Sequence, residues 1–252
     1  MLDNNPFAAL THFLSPVTMQ VYVIVMALAV LLGTLLDMRH KGSARFFTQR
    51  RERVMAAALR RLSGGETAAL AMATIAEAAV SGEFCKWPRR LSHLLMMYGF
   101  LLYVITTVVM IFAYADRATT PTVLSALWTV GALMIVVGGL WFFFFLRVNV
   151  AYDGDSPFHL GRADLFVASL VFSAAFGLIW HYRQLTAGYV ASTWIVFGIY
   201  IFFTTLLFVS VFWSKFAHMF FKPAVAFQRR VEDASGCSDL PSPSTENYIV
   251  RS

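Results

Sequence analysis

Apolar residues run in long blocks along this chain, and polar residues gather between the blocks instead of alternating with them. The blocks fall at about Met19 to Met38, His93 to Tyr114, Val123 to Phe145, Leu165 to His181 and Val190 to Trp213. Most approach the roughly 20 residues a helix needs to cross a hydrocarbon core of about 30 Å. Strands of a transmembrane barrel would instead alternate over about ten residues. The pattern predicts an all-α integral membrane bundle of five transmembrane helices.

Between the first two blocks lies a long polar insert, residues 39–90. Within it, Arg50 to Leu62 places Val54, Met55, Ala58, Leu59 and Leu62 on one helical face, with Arg51, Arg53, Arg60 and Arg61 around the rest. This predicts a basic amphipathic helix, suited to anionic headgroups or to a soluble docking partner. Ser63-Gly64-Gly65 breaks it, and the Ala-rich stretch from Glu66 to Val80 predicts a second helix. Residues 231–252, polar and Ser/Pro-rich from Asp233 onward, read as a disordered tail. The domain plan is therefore a tail (1–18), a membrane domain (19–230) carrying the insert, and a C-terminal tail.

Composition agrees: 58% of the 252 residues are hydrophobic and only 13% charged, where soluble domains carry about 25% charged residues. The net charge of +6 would suggest nucleic acid in a soluble protein. Here it reports orientation. Lys and Arg number eighteen in one set of alternate loops and two in the other, which predicts an external N-terminus and a cytoplasmic C-terminus. No Lys or Arg precedes Thr18, so the first block lacks the basic flank of a cleaved signal and is expected to stay as a helix. Cys85 and Cys237 lie far apart, too few for an iron-sulfur site. Ser169, Ser173 and Gly177 recur every four residues and read as a packing stripe, while Phe142 to Phe145 reads as a lipid-facing belt.

The second to fifth blocks contain no Asp, Glu, Lys or Arg in their interiors, which argues against an ion-coupled transporter. The candidate chemistry is histidine at block ends. His93 opens the second block, His159 precedes the fourth, His181 closes it, and His218 follows the fifth. By the predicted orientation His93, His159 and His218 are cytoplasmic-side and His181 is external. Two imidazoles at equal depth on facing helices can hold a b-type haem, and His93 with His218 meets the depth condition. An interfacial hydrogen bond is the alternative for each histidine singly.

Two stretches carry a family resemblance. Arg89-Arg90-Leu91-Ser92-His93-Leu94-Leu95-Met96-Met97-Tyr98-Gly99-Phe100-Leu101-Leu102, with Thr106, resembles the second helix of the nitrate-reductase gamma-subunit-like membrane cytochromes b. Ser214-Lys215-Phe216-Ala217-His218-Met219-Phe220-Phe221-Lys222-Pro223 resembles the end of that family's fifth helix, and Asp164-Leu165-Phe166 is a weaker echo. Within the superfamily the chain is similar to membrane subunits of heterodisulfide reductases and of quinone-interacting complexes of sulfur metabolism.

That resemblance, over about residues 19 to 230, implies a quinone-linked electron-transfer subunit of a bacterial or archaeal cytoplasmic membrane, with two histidine pairs, one per haem. His93 and His218 match one pair. The positions of the other are Tyr103 and Tyr200, so at most one haem b is expected, its iron held by His93 and His218, with Lys215 placed to pair with a propionate. Lys215 reads equally as a snorkelling interfacial lysine. A quinone site near Tyr98, His159 or Lys215 has location alone in its favour. The implied partners are quinone, membrane lipid and a cytoplasmic flavin/iron-sulfur oxidoreductase, for which adenylylsulfate reductase fits; nucleic acid is not among them. A haem-free structural anchor and a small transporter stand as the competing readings.

Overall fold

The computed structural model describes residues 5–40, 43–82, 84, 86–115, 120–147, 161, 164–212 and 218–237. They form two compact units, one from Met1–Asp37 and Val80–Ala217, the other from Met38–Ala79 and His218–Ser252. Helices account for all regular structure among the described residues: α1 (Pro16–His40), α2 (Ser43–Ala56), α3 (Gly64–Ala79), α4 (Trp87–Phe112), α5 (Thr122–Trp141), α6 (Leu165–Ala187), α7 (Ala191–Val209) and α8 (His218–Ser235).

Five of these, α1, α4, α5 with its extension to Leu146, α6 and α7, are long and apolar enough to cross a membrane, at 25, 26, 25, 23 and 19 residues. They correspond one for one to the five expected blocks. Their starts follow local chemistry. Lys86 is extended and Pro88 sits in the first turn of α4, where a missing N–H costs nothing; extended Pro121 precedes α5. The tetraphenylalanine run ends α5 in a π-helical turn, Phe142–Leu146, with Phe144 and Phe145 exposed. Several boundaries differ from expectation: α4 begins at Trp87, six residues before His93, which therefore does not open the span, and α7 ends at Val209, short of Trp213. His181 does not close the fourth span, because Tyr182 to Ala187 continue α6 until Gly188, whose φ of +65° ends it.

In the first unit, α4, α5, α6 and α7 pack in sequence order, and α1 leaves most of its surface outward, burying Met19, Met26, Gly33 and Asp37. A Tyr22–Thr205 hydroxyl pair at 3.0 Å ties α1 to α7. The α4–α5 seam depends on absent side chains. A Cβ on Gly131 would lie 2.9 Å from the Tyr103 backbone nitrogen, and one on Gly99 would lie 2.9 Å from the Gly131 carbonyl oxygen. Ser92 Oγ donates to the Gly138 carbonyl at 2.8 Å across the same seam. The stripe in α6 packs likewise: Ser173 pairs with Thr204 of α7 at 2.7 Å, and Gly177 faces two tyrosines.

The second unit joins α2, α3 and α8. An odd number of spans puts the segment after α1 and the segment after α7 on one side of a membrane, and their packing together accords with a count of five. The expected continuous helix from Arg50 to Leu62 is not formed. α2 ends at Ala56 and the chain bends before α3, with Leu59 N and Arg60 N donating to the Ser235 carbonyl. The expected tail also begins later, since α8 runs through Ser235 and Cys237 is buried. The remainder of that tail, 238–252, lies outside the described residues.

Candidate functional site

His93 sits in the second turn of α4. Its Nδ1 and Ser81 Oγ are 2.8 Å apart, and its ring packs on Phe84 at 5.0 Å between centroids. Ser81 is 1% exposed and holds a left-handed backbone, φ +50°, uncommon outside glycine. Arg90 Nε secures the same turn by donating to the Val80 carbonyl at 2.8 Å. Two side chains of α4 thus fasten the turn that precedes it, and the turn in return orients the imidazole. With Nδ1 engaged by Ser81, Nε2 is the nitrogen through which this ring would bind a metal. A ligand histidine held at its other nitrogen is the usual arrangement in metal sites.

The same end of this unit gathers charge. Arg147, just past the π-helical turn, pairs with Asp164 at the head of α6 and lies over the Phe143 ring, its CZ carbon 4.9 Å from the centroid. Asp164 also accepts from Gly161 N at 2.9 Å, and Arg89 donates to the Leu146 carbonyl at 3.1 Å.

His93 belongs to the first unit, whereas His218 opens α8 in the second. The side chain of His218 lies outside the described residues, as do Lys215, His159, Cys85 and the run Ser214 to Ala217. Tyr98 is exposed on α4.

The second pair of positions is fully described, and it is closed. A Cβ on Gly177 would lie 2.6 Å from the Tyr103 hydroxyl and 3.4 Å from the Tyr200 ring, so α4 and α7 both abut α6 at this level. Tyr103 stacks on Trp128 with centroids 5.0 Å apart, and Tyr200 stacks on Trp180 at 5.6 Å. Both tryptophans are at most 1% exposed. Trp128 Nε1 donates to Thr107 Oγ1 at 3.0 Å, and Thr107 Oγ1 donates to the Tyr103 carbonyl at 2.7 Å. Residues with this donor set and this packing leave no room for a haem macrocycle. His181 is buried beside them, edge-on to Trp128 at 5.8 Å, instead of lying at an interface.

The N-terminal segment seals that cluster. Phe7 packs against Trp128 at 6.0 Å and Trp180 at 5.6 Å. Asn5 donates to the Tyr114 carbonyl at 2.8 Å and to Thr120 Oγ1 at 3.2 Å, while its carbonyl oxygen accepts from Phe7 N and Ala8 N. Gln184 Nε2 donates to the Pro6 carbonyl at 3.2 Å.

Sequence reasoning missed three features: Ser81 as the partner of His93, the tucked Asn5–Phe7 segment, and Asp37 as a buried carboxylate in the last turns of α1. Only Ser81 carries a local signal, the Ser81-Gly82 turn dipeptide before a helix. Among the described residues no three His, Cys, Asp or Glu side chains assemble as a metal site, and a two-imidazole site requires none. No protein-family model, curated protein or solved structure matches the chain.

Proposed function

We propose that this chain is the membrane anchor and electron-transfer subunit of an oxidoreductase complex, linking the quinone pool to a cytoplasmic flavin/iron-sulfur reductase through one b-type haem. His93 and His218 are its ligands in this reading. The observation that carries it is the Ser81–His93 pair, an imidazole at the head of a spanning helix held at Nδ1 by a buried, backbone-strained serine. That orientation favours Nε2 as an iron ligand. The haem supplies one-electron redox chemistry; the protein supplies depth, ring orientation and local charge. Lys215, three residues before His218, would supply a cation for a propionate in this reading.

The closed cluster at Tyr103 and Tyr200 supports a stoichiometry of one, because the only other described histidine near it, His181, is packed against Trp128. The eighteen-to-two division of basic residues supports a cytoplasmic position for His93, His218 and the second unit. A cytoplasmic reductase, with adenylylsulfate reductase as the candidate fitting the family resemblance, would then meet the chain on that side.

The test is the reduced-minus-oxidised spectrum of the purified full chain. One haem b per chain is expected, lost in His93→Ala and in His218→Ala and kept in His181→Ala. A chain without haem makes this a structural anchor, and two haems per chain overturn the assignment of the Tyr103–Tyr200 cluster.

A further inference from the structure

The face of α3 turned away from α2 and α8 is apolar throughout. Steps of 100° place Ala68, Ala69, Met72, Ala73, Ile75 and Ala76 on that side, with no polar residue among them. The largest stand out from the surface: Met72 is 71% exposed and Ile75 is 65% exposed. The opposite side of α3 carries buried Thr74, whose hydroxyl donates within the helix to the Leu70 carbonyl. A helix bathed in water on its outer side ordinarily reverses this arrangement.

We propose that this face of α3 rests on the bilayer, with Met72 and Ile75 entering the boundary between headgroups and acyl chains. The inference rests on the reading of α1, α4, α5, α6 and α7 as membrane spans. Three observations favour lipid as the occupant. The unit that contains α3 is continuous with spans: α1 runs directly into it as Met38, Arg39 and His40, and α3 is followed after a short link by α4. A tethered surface has a high effective concentration at the membrane, so two inserted side chains suffice where a free helix would need many. Charge is complementary as well. Segments 38–79 and 218–237 hold eleven Lys and Arg against five Asp and Glu, suiting anionic headgroups. The carboxylates on α3 are offset: Glu66 pairs with Arg60 at 3.0 Å and Glu77 pairs with Arg230.

The experiment uses the full chain carrying Cys85→Ser and Cys237→Ser, spin-labelled singly at Met72→Cys, Ile75→Cys, Glu52→Cys or Leu31→Cys, in phosphatidylcholine vesicles containing phosphatidylglycerol. Collision with oxygen, which concentrates in lipid, is compared with collision with a water-soluble nickel chelate. Labels at 72 and 75 are expected to show an oxygen-to-nickel ratio several-fold above that at 52, falling when phosphatidylglycerol is omitted. Ready nickel access at 72 and 75 overturns the proposal, provided the label at Leu31, in the middle of α1, remains lipid-accessible. Protection of 72 and 75 from both reagents also overturns it and assigns the face to contact with a second copy of the chain. Nickel access at Leu31 fails the spanning reading instead.

Discussion

The two units of this chain are held together by opposite means. In the spanning unit, helices meet where side chains are missing or short: Gly99 against Gly131, Gly177 against Tyr103 and Tyr200, Ser173 against Thr204, Ser92 against the Gly138 carbonyl. Between helices already in lipid, apolar burial gives little net drive, so close backbone approach and hydroxyl bonds must supply the attraction. In the other unit the junction between helices is ionic. Glu232 of α8, 2% exposed, meets Arg50 of α2 at 3.2 Å and accepts from Gln228 at 3.0 Å, while Arg230 meets Glu77 of α3. Two ion pairs thus join α8 to α2 and to α3 among the described residues. One unit should therefore be sensitive to added volume and the other to lost charge.

The largest effect expected is at the α4–α5 seam. Gly131→Ala puts a methyl 2.9 Å from the Tyr103 backbone nitrogen, an atom that cannot turn aside, so the helices must separate. A loss of about 3 kcal/mol is expected, typical of overpacking a tight interface. Gly198→Ala in α7, where nothing lies within 4 Å of the new carbon, should instead gain about 0.5 kcal/mol from reduced backbone freedom in the unfolded chain. Thermal unfolding of both variants in one detergent gives the comparison; equal effects would mean that glycine content, not seam geometry, sets stability here.

Next in size is Glu232→Ala. Breaking a buried ion pair costs about 3–5 kcal/mol, but Arg50 is 39% exposed and its charge is partly relieved by water, so about 2 kcal/mol is expected. Hydrogen exchange should quicken in α2 and α8 and stay slow in α4 to α7. Added salt should reproduce the effect weakly in the wild type, since it screens exposed charges and leaves glycine seams untouched. Quickened exchange in all helices would show that the two units unfold as one.

How much of this was readable from sequence follows from the range of each signal. The five spans were legible because membrane crossing imposes a length on every apolar block. The fate of His181 was not, since the end of α6 depends on Gly188 adopting φ +65° beyond a polar run that could equally have been loop. Tyr103 and Tyr200 were singled out only by resemblance, and nothing local foretold their stacking on Trp128 and Trp180. The packing of α8 with α2 includes a pairing of Glu232 with Arg50 across most of the chain, and polar pairs leave no periodic trace. The Ser81-Gly82 dipeptide marks a turn, but the bond from Ser81 to His93 comes from the conformation of that turn, which side-chain pattern does not encode.

The smallest expected effect lies at the start of α3, and it divides local from tertiary stability in the ionic unit. Ser63 and Glu66 form a capping box: Glu66 N donates to Ser63 Oγ at 3.2 Å, and Ser63 N donates to the Glu66 carboxylate at 2.8 Å. The Ser63 backbone N–H, followed by its hydroxyl, holds the Glu66 carboxyl below the usual glutamate range, with Arg60 adding to the same direction. A depressed carboxyl pKa stabilises the fold above the unfolded value, and that contribution fades as pH falls through the folded one. Acidification below the ordinary glutamate range should therefore fray the first turn of α3 while α4 to α7 stay intact. Ser63→Ala should cost about 1 kcal/mol at neutral pH, the usual worth of an N-cap. It should reduce the acid response only in part, because the backbone N–H of residue 63, the larger support of the Glu66 carboxylate, remains in the variant. Exchange rates of the amides at Glu66 and Thr67, followed from neutral to acidic pH in both proteins, read this directly. Fraying with the wild-type pH dependence in Glu66→Gln, which has no carboxyl to protonate, would place the acid-sensitive contact elsewhere than at the cap.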